Sequence, residues 1–150
     1  MTRVCLLGKE DVDLRIDIYS YETARRALAT YDVSEPWTNT LQLRTNSLGN
    51  AVTLLNDLNW YLARLTRDAI IREPSVSTTE WLSRPLARQI RDGDLDPDEP
   101  VNRLKVYGVD DDRLVDPTFV LRGDAQEGTY ERADYDESVV VRVTKGEFFA

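Results

Sequence analysis

The sequence predicts an α+β fold in a single domain, 1–150, in which a long helix and a second helix pack on one face of a mostly antiparallel sheet. Two observations support this prediction. Apolar segments typical of strands lie near both ends of the chain, at Val4–Leu7 and Val139–Val143, and helical patterns lie between them. The length of 150 residues is sufficient for one hydrophobic core, and no apolar run is long enough to span a membrane.

The first third of the chain predicts three strands and one helix. Val4–Leu7 is a short apolar run and predicts a buried strand. Residues Val12–Ile18 alternate between apolar and polar side chains, which favours a strand with one exposed face, although the same positions also fit a helix. Tyr21–Thr30 has the spacing of an amphipathic helix, and Thr38–Thr45 predicts a further strand.

The longest helical pattern is Leu48–Ile71. Its apolar residues recur at steps of three and four, which places them on one face of a helix, and Pro74 ends the pattern. A stripe of this length also fits a coiled coil, but only three heptads are present, which favours packing on the protein's own sheet. Asn56 and Asn59 lie beside the apolar face, so we expect them to form hydrogen bonds between helices or, alternatively, to line a polar pocket.

A second helix is predicted to begin at Ser77. Ser77 and Glu80 have the spacing of a capping box, in which each side chain accepts a hydrogen bond from the other residue's backbone N–H. Pro85 predicts either a kink or a later start of the helix, and Gly93 is typical of a left-handed C-terminal cap. The predicted buried stripe consists of Leu82, Leu86 and Ile90.

The side of this second helix opposite the stripe carries a distinctive surface, here called the helical ridge: Trp81, Arg84, Arg88 and Arg91. The favoured hypothesis is an interface for another protein. An alternative is RNA recognition, in which the arginines contact phosphates and the tryptophan stacks on a base. The arginines could also pair with acidic residues of the same chain.

The C-terminal third predicts three strands. Leu104–Val109 and Leu114–Leu121 flank an acidic turn at Asp110–Asp112, and the second of these strands contains a proline, which is typical of a sheet edge. Gly123–Ser138 is polar and predicts a long loop. Val139–Val143 is rich in β-branched residues and predicts a central strand.

The charge composition favours a halophilic, cytoplasmic protein. Twenty-seven acidic residues face sixteen arginines and only three lysines, for a net charge of −8. Residues 1–91 carry a net charge of +1, whereas residues 92–150 carry −9. The negative charges on such a surface repel one another unless salt screens them. At about 1 M salt the Debye screening length is only about 3 Å. An ordinary acidic protein is the alternative interpretation. The short apolar run at the N-terminus does not resemble a signal peptide.

No motif in the chain identifies a reaction. The absence of histidine removes the catalytic triads and most zinc sites, and the seven glycines form no phosphate-binding loop. The alternating aspartates of residues 92–98 have Pro97 and Arg103 where a calcium loop needs glycine and glutamate. Cys5 is predicted to be a buried hydrophobic residue. We therefore expect no catalytic residue, no metal site and no cofactor; acid–base catalysis by Asp or Glu beside Asn56 and Asn59 is the remaining enzymatic alternative.

Four stretches carry a resemblance to a known family: Thr2–Leu6, Ser47–Leu62, Arg72–Arg84 and Lys105–Val109. They resemble a small family of haloarchaeal proteins, a domain of unknown function, and the resemblance spans nearly the whole chain. The resemblance implies a single domain in a halophilic archaeal cytoplasm. It supplies no catalytic residue, so the sequence leaves a binding or adaptor protein, an RNA-binding protein and a small enzyme as hypotheses.

Overall fold

The computed structural model describes residues 1–123, 132 and 134–150, and these residues form seven strands and six helices. The strands are β1 (Thr2–Gly8), β2 (Thr40–Thr45), β3 (Thr66–Arg72), β4 (Trp81–Ser83), β5 (Arg103–Asp110), β6 (Arg113–Leu121) and β7 (Glu137–Arg142). The helices are α1 (Leu14–Tyr19), α2 (Glu22–Leu28), α3 (Leu48–Asp57), α4 (Asn59–Leu65), α5 (Arg84–Arg91) and α6 (Lys145–Phe148). Most of the predicted Gly123–Ser138 loop lies outside the described residues.

The seven strands form one sheet in the order β2-β1-β3-β4-β7-β5-β6. Every neighbouring pair is antiparallel except β4 and β7, so the predicted α+β class with a mostly antiparallel sheet is confirmed. The predicted central strand Val139–Val143 corresponds to β7, between β4 and β5, and β6 is an edge strand as predicted. Asp111 and Asp112 turn the chain between β5 and β6 with φ of 50° and 58°, as a tight hairpin requires.

Helices α1–α5 cover one face of the sheet, here called the helical face. Their buried side chains form one hydrophobic cluster with Val4 and Leu6 of β1 and with Ala69 and Ile71 of β3. The opposite face has its own cluster, in which Trp81 is packed with residues of five other strands, and Phe148 of α6 packs against it. No helix in the described ranges is long and apolar enough to cross a membrane.

The predicted long helix Leu48–Ile71 is wrong. The segment forms α3 and α4, which are separated at Leu58 by a backbone with φ −92° and ψ 3°, and then the strand β3. The chain changes direction at Thr66, whose φ of −116° and ψ of 150° are extended. Buried strands carry consecutive apolar residues, and Ala69–Ile71 is such a run. Its first residue, Ala69, happens to continue the helical spacing of Leu62 and Leu65, which explains the error.

The second helix begins at Arg84 rather than at Ser77. Residues Trp81–Ser83 form β4, and the Ser83 hydroxyl caps α5 by accepting a hydrogen bond from the Leu86 N–H at 3.2 Å. Pro85 therefore lies in the first turn, where a missing N–H costs nothing. The predicted capping box is half present, because the Ser77 hydroxyl accepts from the Glu80 N–H at 2.8 Å.

Glu80, however, directs its carboxylate into the protein. It is 1% exposed and forms salt bridges with Arg122 and Arg142, the latter at 2.7 Å. Gly93 has a φ of +79°, so its predicted place after the helix end is confirmed.

The preference for a strand at Val12–Ile18 is also wrong. Leu14–Tyr19 is the helix α1, capped by the Asp13 carboxylate, which accepts a hydrogen bond from the Ile16 N–H at 3.2 Å. Leu14 and Ile18 are fully buried and lie one helical turn apart. The alternation that suggested a strand reflects a short amphipathic helix, for which period two and period 3.6 are hard to separate.

Candidate functional site

The structure separates Trp81 from the other members of the predicted helical ridge. Trp81 lies on β4, is 4% exposed, and packs in the cluster on the sheet face opposite α1–α5. Its predicted position beside the arginines of a helix is therefore wrong. The error arises because α5 begins at Arg84, so Trp81 belongs to the strand before it. Side chains alternate between the two faces of a strand, so the helical spacing of about 100° per residue gives the wrong direction for Trp81.

Arg84 contacts the end of α3 and the start of α4 instead of solvent. Its guanidinium donates to the Asn59 side-chain oxygen at 2.9 Å, to the Leu55 carbonyl at 3.1 Å and to the Asn56 side-chain oxygen at 3.2 Å. A cation at a helix C-terminus stabilises the free carbonyl groups there. Burial, and secondarily the charge of Arg88, lower the pKa of Arg84.

The other two ridge arginines are exposed. Arg88 donates to the Asn56 side-chain oxygen at 3.4 Å, and Arg91 pairs with Asp92 at 2.7 Å. The arginines and the asparagines, which sequence analysis treated as separate features, thus form one network between α3, α4 and α5. The interpretation of Asn56 and Asn59 as partners in hydrogen bonds between helices is confirmed.

A different set of arginines lies on the opposite face of the sheet. Arg44 of β2, Arg3 of β1 and Arg72 of β3 are direct neighbours, because Arg3 is in register with Arg44 on one side and with Arg72 on the other. We call these three residues the arginine row. Directly opposed residues of antiparallel strands have Cα atoms about 5 Å apart, so the row extends over roughly 10 Å.

Within the residues that the structure describes, the charges of the arginine row have no ion-pair partner, because no carboxylate there forms a salt bridge with Arg3, Arg44 or Arg72. Arg3 and Arg72 are partly buried, and burial together with the charge of Arg3 lowers the pKa of Arg72. The Arg72 guanidinium lies 5.0 Å from the centre of the Trp81 ring, which holds it over an aromatic face. Like charges in directly opposed positions destabilise a sheet.

The arginine row lines a cavity of about 260 Å³. Its remaining lining residues are Met1, Pro74 and Thr78. A second cavity of about 430 Å³ lies beside it and shares Met1 and Arg44 with it. A third, wider cleft of about 680 Å³ lies near the start of α1, and four of its lining residues are acidic. Neither Asn56 nor Asn59 lines any of these three cavities.

The chemistry of the arginine row is that of anion binding. A guanidinium offers paired N–H donors that match the oxygens of a phosphate or carboxylate, and it keeps its charge at all ordinary pH values. The cavity it lines contains no carboxylate, thiol or amine side chain that could act as a base or nucleophile. Its geometry is suited to holding a ligand with several anionic oxygens.

One further polar cluster and one buried thiol have structural roles. Asp68 accepts hydrogen bonds from both Lys105 and Tyr107, and burial followed by the charge of Asp68 raises the pKa of the Tyr107 hydroxyl. The tyrosine therefore stays protonated as a donor. Cys5 is fully buried as predicted, and burial raises the pKa of its thiol to about 12, which makes it unreactive.

Sequence analysis missed the arginine row although a signal was present. Each of its arginines directly follows or precedes an apolar strand segment: Arg3 before Val4, Arg44 after Leu43, and Arg72 after Ile71. Recognising the row required β3 to be assigned as a strand that pairs with β1. Because residues 66–71 were assigned to a helix, Arg72 seemed to lie at a helix end, far from the other two.

Comparison with known proteins identifies a family but no activity. A family described as one of unknown function, DUF5804, matches residues 2–109, a range that contains the whole arginine row. No curated protein matches the chain, and no solved structure matches it. The resemblance to an uncharacterised family is thereby confirmed. Because the match extends over more than half of the chain, the protein belongs to the family of unknown function DUF5804.

Proposed function

We propose that this protein is a non-catalytic binding protein whose ligand carries phosphate groups, held by Arg3, Arg44 and Arg72. One observation carries the proposal: three arginines are directly opposed on adjacent strands without a carboxylate partner among the described residues. The chain has 27 acidic residues that could have served as partners. We infer that an anionic ligand supplies this missing negative charge.

The energetics favour a ligand with more than one anionic group. In the free protein, each neighbouring pair of guanidinium groups repels, and Arg72 is also partly removed from water. A ligand with several anionic oxygens removes both penalties and forms charge-assisted hydrogen bonds, each worth about 1.5 to 3 kcal/mol. Two phosphates joined by one oxygen match a row of roughly 10 Å better than a single small anion does.

The interface predicted on the helical ridge now rests on Arg88 and Arg91, which are exposed. A protein partner at this place stays a prediction, supported only by that exposure. RNA carries the same phosphate oxygens as the proposed ligand. A short RNA is therefore one of the ligands used in the binding test. The enzymatic alternative gains no support from the arginine cavity, which lacks an acid–base side chain.

The proposal is tested by isothermal titration calorimetry with pyrophosphate. The parent protein is compared with the single variants Arg3→Gln and Arg72→Gln. Each substitution removes one charge-assisted contact and should weaken binding about 10- to 100-fold. The titrations are run at about 0.2 M and 2 M KCl, because two-pronged arginine contacts should survive screening better than simple charge attraction.

The matched control is Arg26→Gln, which changes the net charge equally. Arg26 lies on α2, its side chain is 78% exposed, and among the described residues it pairs with Glu22 alone, one turn away. Its binding constant should stay within about twofold of the parent, since exposed pairs of this kind contribute little. If Arg26→Gln loses as much affinity as the other variants, the loss is explained by the change in net charge and not by the arginine row. If the parent protein binds neither pyrophosphate nor a short RNA, the proposal is overturned.

A further inference from the structure

The cavity beside the arginine row is formed by the segment 30–34 and the edge strand β2. Ser34 and Gln42 exchange two backbone hydrogen bonds, at 2.9 Å and 2.7 Å, which fix this segment along the outer side of β2. The cavity has a volume of about 430 Å³, within the range of pockets that hold small organic ligands. Arg44 and Met1 belong to both cavities, so the two cavities adjoin each other.

The lining of this second cavity differs in chemistry from the arginine row. Tyr31 and Val33 supply apolar surface, and both are partly buried because they also pack against the core of the helical face. Four polar side chains also line it, and none of them forms a hydrogen bond or salt bridge with another described residue. They are Thr30, Asp32, Ser34 and Gln42. The cavity thus combines apolar walls with unused hydrogen-bonding groups.

The two cavities differ in the charge of the side chains that line them. The charged side chains of the first are all guanidinium groups, whereas the only charged side chains of the second are the Asp32 carboxylate and the shared Arg44. A phosphate would be repelled from Asp32 and attracted to the arginine row. The part of the ligand in the second cavity should therefore carry no negative charge, bear hydrogen-bond donors that a carboxylate accepts, and have an apolar surface.

The geometry points to a nucleoside phosphate as the ligand, with its phosphates on the arginine row and its ribose and base in the second cavity. This inference rests on the proposed function and adds the chemical class of the ligand. A nucleobase has apolar faces for Tyr31 and Val33, while ribose hydroxyls and exocyclic amino groups donate to Asp32. Inorganic polyphosphate alone would leave all of these groups unused.

The test compares pyrophosphate, ribose 5-phosphate and adenosine diphosphate by calorimetry on the full chain. Adenosine diphosphate should bind at least about tenfold more tightly than pyrophosphate, because it fills both cavities. Asp32→Asn should weaken adenosine diphosphate binding about tenfold and leave pyrophosphate binding unchanged or slightly stronger, since a negative charge is removed. The matched control is Asp57→Asn, an exposed aspartate at the end of α3.

A second variant, Val33→Trp, fills the cavity itself and should abolish the advantage of adenosine diphosphate. Its fold is checked by circular dichroism, and Asp32→Asn decides the question if the tryptophan is not tolerated. If pyrophosphate binds and adenosine diphosphate binds no more tightly, the inference is overturned and the proposed function stands. Equal binding of ribose 5-phosphate and adenosine diphosphate would exclude the base from the second cavity. If no phosphate compound binds, both fail.

Discussion

Replacing Arg3 with glutamate should stabilise the free protein while removing its affinity for anions. Arg3 is the middle residue of the arginine row and lies directly opposite Arg44 and Arg72. In the parent protein both neighbours repel it. In Arg3→Glu both neighbours attract it, so one substitution converts two unfavourable pairs into two favourable ones. An increase in stability on changing a partly buried charged residue is unusual, which makes the prediction discriminating.

The expected size follows from the register. Opposed charges on neighbouring strands are worth about 0.2 to 1 kcal/mol, and like charges are unfavourable by a similar amount. Two converted pairs would give up to about 4 kcal/mol, but Arg44 is exposed and solvent weakens its pair, so we expect about 1 to 2 kcal/mol. For a chain of this length, each kcal/mol raises Tm by about 2 to 4 °C, which predicts an increase of roughly 2 to 8 °C.

The assay is thermal unfolding at about 0.1 M KCl, followed by circular dichroism. Arg3→Gln, which only removes the repulsion, should show about half of the increase. The double variant Arg44→Gln/Arg72→Gln is the control background, where Arg3→Glu has no arginine to attract it and should give no gain. A lower Tm for Arg3→Glu, or the same gain in the control background, would refute the reasoning.

Four further predictions concern the rest of the molecule. Glu80→Gln should destabilise the protein by about 3 to 5 kcal/mol in urea unfolding, because it leaves Arg122 and Arg142 buried without their carboxylate. Arg84→Lys should cost about 1 to 2 kcal/mol in the same assay, since a lysine cannot make all three contacts to the ends of α3 and α4. Folding raises the pKa of the Cys5 thiol from 9.0 to about 12, so above about pH 9 the unfolded chain releases a proton that the folded protein keeps. Stability should then fall by up to about 1.4 kcal/mol per pH unit, and Cys5→Ala should remove that part of the slope between about pH 9 and pH 10. Finally, if the acidic surface is a halophilic adaptation, Tm should rise steeply between about 0.1 M and 2 M KCl, whereas an unchanged Tm would contradict that expectation.

The strands near the ends of the chain could be predicted because their side-chain pattern has one interpretation. Val139–Val143 is short, apolar and β-branched, and it forms most of the central strand β7. The middle of the chain was misassigned because the apolar run Ala69–Ile71 directly follows a helical pattern, and Ala69 fits the 3.6-residue spacing of that pattern. Thr66–Arg72 is a strand whose Ala69 and Ile71 face the helices while Ile70 faces the opposite side, so it is apolar on both faces.

The candidate site depended on that one misassigned strand. A helix at residues 66–71 separates Arg72 from Arg3 by an unknown distance, whereas the strand β3 places them in direct register. The predicted place of Trp81 on the helical ridge was wrong for a similar reason, since a helix that begins at Arg84 cannot carry Trp81. Pairing between strands that are distant in sequence is set by the whole sheet and cannot be read from any local pattern.

The most direct test of the central claim observes the arginine side chains themselves. The Nε–Hε signals of the arginines are followed by NMR while pyrophosphate is added to the parent protein. The account predicts that the signals of Arg3, Arg44 and Arg72 shift together and saturate with one dissociation constant, while those of the other arginines stay in place. Shifts confined to the helical ridge, or small uniform shifts of every arginine, would contradict it.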